Sequence, residues 1–189
     1  MDKQSNKWLD EIIDILKSVA ISIVAVFFLT QFFIKPIQID GQSMQPTLLD
    51  KQRGFSNIIA HKLSEIQRFD IVILFDELDQ DYFVKRVIGL PGETIEVIAD
   101  QLFVNGTLIE QNFLDDQYIK EVTNNHQTAF TRNFGPITIQ AEHVFVMGDN
   151  RINSTDSRVR GAYQLDSIIS KHVYILYPFD QMQFNHGEQ

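Results

Sequence analysis

The 189-residue chain contains no cysteine, which excludes thiol catalysis, disulfide staples and cysteine-ligated zinc. Histidine is scarce and dispersed. No two of His61, His126, His143, His172 and His186 stand three or four residues apart, so a histidine metal site on one helix is absent. Each reads as a surface or half-buried residue, and no metal is expected. Basic residues are outnumbered, 16 Lys and Arg against 25 Asp and Glu, for a net charge of -9. That balance argues against a nucleic-acid partner, which would require a basic face. Internal repeats and low-complexity segments are also missing.

Aromatic residues are plentiful, with 15 Phe, many of them inside apolar runs. The longest run is Ser18 to Ile34, seventeen uncharged residues bracketed by Lys17 and Lys35. As a helix it covers about 25 Å, a little less than the roughly 30 Å hydrocarbon layer. Snorkelling of the two lysines and a start as early as Ile12 close the gap. A cleavable leader fits poorly, because the run ends in Phe32-Phe33-Ile34-Lys35-Pro36 with no small-x-small site. We therefore read residues 1–17 as a polar N-terminal segment, 18–35 as a transmembrane anchor, and 36–189 as one further domain. Lys3, Lys7 and Lys17 on one side against Lys35, Lys51 and Arg53 on the other leave the orientation open.

Beyond the anchor the pattern is mainly β. Ile71-Val72-Ile73-Leu74-Phe75 is a continuous apolar run of strand length. Phe83 to Ile88 comes next, closed by Gly89-Leu90-Pro91-Gly92. Ile95–Ile98, Leu102–Val104 and Thr107–Ile109 succeed it, the last two joined by Asn105-Gly106, a strong hairpin signal. Residues 110–134 are polar and read as an irregular insertion. Ile137–Ile139, His143–Met147 and His172–Tyr177 return to strand character, Tyr163 to Ser170 reads as a helical turn or a loop, and from Asp180 the tail is polar and frayed.

Three features invite a chemical reading. Ser43 follows Gly41 on a bend before Pro46; taken alone, it is a turn serine. Lys85 and Arg86 are adjacent on a strand, so one of the two cations must share a face with apolar neighbours. A desolvated lysine there would have a depressed pKa and become a usable base; the plain alternative is that it snorkels or pairs. Gly148 to Arg158 packs two Asp, two Asn, two Arg and two Ser into one loop, either a hydrated turn or a shell orienting a reactive group.

The order and detail of these segments carry more than each alone. Ser43-Met44-Gln45-Pro46-Thr47-Leu48, Arg68-Phe69-Asp70-Ile71-Val72, Tyr82 to Glu93 and Gly148 to Gly161 resemble the successive boxes of the type I signal peptidases. The single anchor resembles the Gram-positive-type members. The resemblance implies a signal-peptidase-like β-sheet catalytic domain held outside the membrane, with the N-terminus cytoplasmic. It implies a cofactor-independent serine endopeptidase that removes signal peptides from exported preproteins after small-x-small motifs. Ser43 would be the nucleophile and Lys85 the general base. Ser154 would orient the lysine; Asp149, Arg86, Asp156 and Arg158 would brace the loop. Ile37, Ile39, Met44, Leu48, Phe83 and Val84 would line the substrate pockets. Partners would be signal peptides and the lipid bilayer, and the chain is read as a monomer. Two positions depart from the pattern: Gly41 stands where some relatives carry a serine that donates to the oxyanion, and Arg160 where an aromatic usually precedes the glycine. A catalytically inactive assembly or chaperone partner would typically lack the serine or the lysine. A self-cleaving repressor with the same dyad would need a DNA-binding domain.

Overall fold

A computed structural model describes residues 5–185. Lys3 and His186 lie outside the described residues, as does the side chain of His61; among the other histidines, His126 is exposed and His143 and His172 are half-buried. The N-terminal helix α1 runs Ser5–Phe32, further in the N-terminal direction than the uncharged run. From Lys7 to Leu29 its side chains are exposed, as for Ile21 (70%) and Ile23 (64%), and Lys7–Thr30 is long and apolar enough to cross a membrane. Apolar residues around the full circumference with no protein packed on them are what a lipid-facing helix presents.

The remaining elements are, in order, strand β1 (Ile34–Gln38), β2 (Arg53–Asn57), helix α2 (Ile58–Leu63), β3 (Ile71–Asp76), β4 (Asp81–Gly89), β5 (Thr94–Ile98), β6 (Gln101–Val104), β7 (Thr107–Ile109), helix α3 (Asp116–His126), β8 (Phe134–Thr138), β9 (His143–Met147), helix α4 (Ser157–Arg160), β10 (Tyr163–Gln164), β11 (Ile168–Tyr177) and β12 (Gln183–Asn185). The fold is mainly β, as the sequence pattern indicates. One sheet has eight strands in the order β1-β2-β11-β3-β4-β9-β10, with β12 on β11; the second has four, β7-β6-β5-β8. Asn105 and Gly106 take positive φ values of 52° and 77°, the backbone of the tight turn expected between β6 and β7.

Several stretches differ from the sequence reading. The insertion at 110–134 contains α3, capped by Asp115, whose side chain accepts from the Tyr118 N–H. It buries none of its residues, so no apolar stripe announces it. Tyr163 to Ser170 divides into a short strand, a 3₁₀ turn and the start of β11. Part of the polar tail is ordered as β12, paired with β11.

Two features of the sheet domain shape the surroundings of Ser43 and Lys85. Only Phe33 separates α1 from β1, and its carbonyl accepts the Ile58 N–H of α2 at 3.1 Å, so the helix end is fastened into the sheet domain. Strand β4 pairs with β3 from Asp81 to Arg86, but with β9 only from Arg86 to Gly89. One backbone edge of β4 between Asp81 and Lys85 is therefore open, and β1 pairs only with β2, leaving its outer edge open as well.

Candidate functional site

Ser43 lies in the turn after β1, and the neighbouring loop holds its backbone. The Asn150 N–H donates to the Ser43 carbonyl at 3.0 Å, and the Asn150 side-chain amide donates to the Gln42 carbonyl at 3.1 Å. Gly148 sits against the same carbonyl. A Cβ there would lie 2.3 Å from Ser43 O and 2.4 Å from Ser154 Oγ, so only glycine fits between them. The Ser43 N–H has no hydrogen-bond acceptor among the described residues.

Lys85 projects from β4 and is 4% exposed. Its Nζ lies 2.8 Å from Ser43 Oγ, a contact spanning 42 residues of sequence. Burial pulls the Lys85 pKa down from 10.5 to about 8; the charges of Asp156 and Asp149 oppose the fall and that of Arg158 assists it. Without a carboxylate in direct contact, the amine form is accessible near neutral pH. Arg86, the next residue, has the opposite surroundings. It is bidentate to Asp149, Nε to Oδ1 at 2.8 Å and Nη2 to Oδ2 at 2.7 Å, with both side chains buried.

The loop after β9 is braced from within. Burial opposes ionisation of Asp156, but hydrogen bonds and charge from Arg158 and the Gly148 N–H hold its pKa below the ordinary carboxylate value. Ser154 is placed beside these groups, but its hydroxyl does not bond Lys85. Its Oγ is buried and makes no hydrogen bond of proper geometry, although it lies near enough to Asp156 to favour that carboxylate's charged form. The expected Ser154–Lys85 contact is thus not formed in this arrangement.

Three supports are assigned no individual role in the sequence reading. Thr47 Oγ1 donates to Asp149 Oδ2 at 2.6 Å, tying the serine turn to the Arg86–Asp149 pair. Arg151 is buried, which lowers its pKa to about 10, and donates to the Gly148 carbonyl, to Thr131 and to Gln111. The Phe113 ring lies 4.0 Å from the Arg86 guanidinium. The 110–134 segment therefore packs against the polar loop. Thr47 stands inside the serine box, so the box signals it; nothing local marks Phe113 or Gln111.

A cleft of about 720 Å³ opens beside Ser43 and Lys85, lined by β1, the serine turn, Ile73 and the open half of β4. Ile37, Ile39, Met44, Phe83 and Val84 line it as expected. Leu48 does not. It is 0% exposed and belongs to the core cluster with Ile39, Met44 and Ile71, because the turn folds it inward beneath the cleft wall. No group of three or more His, Asp or Glu side chains suited to a metal ion occurs among the described residues.

A serine touching a desolvated lysine, at the end of a cleft walled by two open strand edges, suits nucleophilic attack on an extended peptide. The family described as "Signal peptidase, peptidase S26" matches residues 12–177, and the chain belongs to that family. It is 37% identical to signal peptidase I P of Bacillus subtilis subsp. natto over 96% of this chain and 97% of that one. Signal peptidase I T of Bacillus subtilis (strain 168) is 33% identical over 96% and 94% of the two chains. Signal peptidase IB of Staphylococcus aureus (strain MRSA252) is 33% identical over 93% and 94%. Among solved structures, a signal peptidase I from Enterococcus faecalis V583 is 30% identical, with a TM-score of 0.49, covering 57% of this chain and 97% of that one.

Proposed function

We propose that the chain is a membrane-anchored serine endopeptidase that removes signal peptides from exported preproteins after small-x-small motifs. The observation that carries this reading is the 2.8 Å contact between Lys85 Nζ and Ser43 Oγ at a lysine whose burial favours the neutral amine. Neutral Lys85 takes the Ser43 proton as Oγ attacks the scissile carbonyl. The ammonium so formed protonates the leaving amine, and the regenerated amine activates water to release the acyl group. The Ser43 N–H, which has no acceptor among the described residues, donates to the oxyanion; Gly41 offers no side-chain donor. The steps use only the protein's own groups and water.

The substrate adds as a strand between the open edges of β1 and β4. Ile37, Ile39, Met44 and Val84 leave shallow apolar hollows that reject large side chains sterically. Asp149, Arg86, Asp156 and Arg158 hold the loop that holds Ser43. The anchor α1 places the domain at the outer face of the bilayer, the N-terminus inside, with the chain acting as a monomer. No observation favours the inactive-partner reading.

Cleavage of a preprotein by the wild type, Ser43→Ala and Lys85→Ala in detergent tests the assignment. Both variants are expected to lose turnover by at least about a hundredfold. Near-wild-type turnover in either would refute the dyad.

A further inference from the structure

The cleft walls carry a third rung beyond the two that take small residues. Lys35, Ile37 and Ile39 alternate along one face of β1 and its continuation, which stays paired through the Ile39 N–H to Gln52 O and the Lys51 N–H to Ile39 O. Tyr82 and Val84 alternate along the facing side of β4. Val84 and Ile37 pack on the cluster containing Ile39 and Met44, so the two stripes oppose each other. Their outermost members meet directly: Lys35 Nζ lies 3.9 Å from the centre of the Tyr82 ring. Phe75 supports that ring from β3, with centroids 5.3 Å apart.

The charges around this rung are unequal in commitment. Asp79 also lines the cleft but is engaged by Arg160, the residue that replaces an aromatic, at 2.6 Å. Asp40 is engaged by Lys51. Asp81 lines the same cleft, and its Oδ1 accepts the Tyr82 N–H at 2.7 Å. Lys35 pairs with no carboxylate among the described residues; its contact is the aromatic face.

Side chains of an extended peptide repeat on one face every second residue, about 6.8 Å apart, which matches the two-residue spacing of the rungs. With the residue before the cut beside Ile39 and Met44 and the third residue beside Ile37 and Val84, the fifth falls on Lys35 and Tyr82. We propose that Lys35 and Tyr82 form a third side-chain pocket that selects the fifth residue before the scissile bond, favouring a carboxylate or amide oxygen and disfavouring a cation. This rests on the peptidase function and strand-like substrate binding proposed above.

The test uses full-length protein in non-ionic detergent micelles and four peptides differing only in Glu, Gln, Ala or Lys at that fifth position. Within each variant the ratio of kcat/KM for Glu over Lys is the readout, so differences in folded fraction cancel. The wild type is expected to favour Glu about two- to fivefold, the size of an exposed charge contact, with the ratio shrinking toward one as salt is raised. Lys35→Glu is expected to invert it and Lys35→Ala to bring it close to one. A ratio unchanged in Lys35→Glu, or a wild-type preference for Lys, overturns the pocket while all four peptides are still cut. Failure of the wild type to cut any of the four overturns the pocket and the peptidase reading together.

Discussion

Lys85 and Arg86 are consecutive residues of β4, both almost completely buried, yet only Arg86 is given a counter-ion. Alternation along the strand sends their side chains to opposite faces. One face meets Asp149; the other meets the hydroxyl of Ser43. The same strand thus fixes one cation permanently and keeps the other able to lose its proton.

That difference sets the pH profile. With the Lys85 pKa at about 8, only about a tenth of the enzyme carries the amine at pH 7. We expect kcat/KM on a preprotein or peptide to rise with pH through about 8 and then level. A flat profile between pH 5 and pH 9 would rule out a lysine base.

Burying Lys85 without a counter-ion costs stability. The folded pKa of Lys85 lies below its unfolded value of 10.5, so between about 8 and 10.5 the unfolded chain holds the extra proton and stability rises with pH. Below about pH 8 the penalty is fully present, on the order of 3 kcal/mol. Lys85→Met, close in volume and uncharged, should be inactive yet more stable at pH 7. Denaturant midpoints should show that gain shrinking as pH passes 10. An equal gain at pH 7 and pH 10.5 would mean the charge is not the source.

Asp149 affects both cations. Asp149→Ala leaves Arg86 buried without its partner and removes the acceptor of Thr47, an expected loss of about 3–5 kcal/mol in urea unfolding. Asp149→Asn retains the shape but withdraws a charge that raises the Lys85 pKa, so the acid limb of the rate profile should move below pH 8. A limb that stays in place would uncouple the ion pair from the dyad.

Much of this is legible in the chain alone, because burial writes itself into composition. The runs Ile71–Phe75 and His143–Met147 are strands packed on both faces, and their apolar continuity is visible. Ser43, Lys85 and the Gly148 loop stand out through residue types that make little sense apart. β2 does not, since Arg53-Gly54-Phe55-Ser56-Asn57 has neither alternation nor an apolar run, although it joins β1 to β11 within the large sheet. Ser56 is buried there by a partner far away in sequence, Ser170, at 2.7 Å. Phe113 is equally silent, because its aromatic face is spent on arginines that reach it only after folding. The miss at Leu48 has another origin: a pocket lining and the wall behind it share the same apolar character.

The joint between α1 and β1 has a mechanical consequence. With Phe33 as the sole linking residue, and its carbonyl held by Ile58, the helix end has no slack against the sheet. The five residues of β1 then rise about 16 Å before the serine turn. Ser43 is therefore tied to the end of α1 through one short extended strand. Lengthening that joint by a few residues would leave every contact of Ser43 and Lys85 intact while releasing the sheet domain from the helix that carries it.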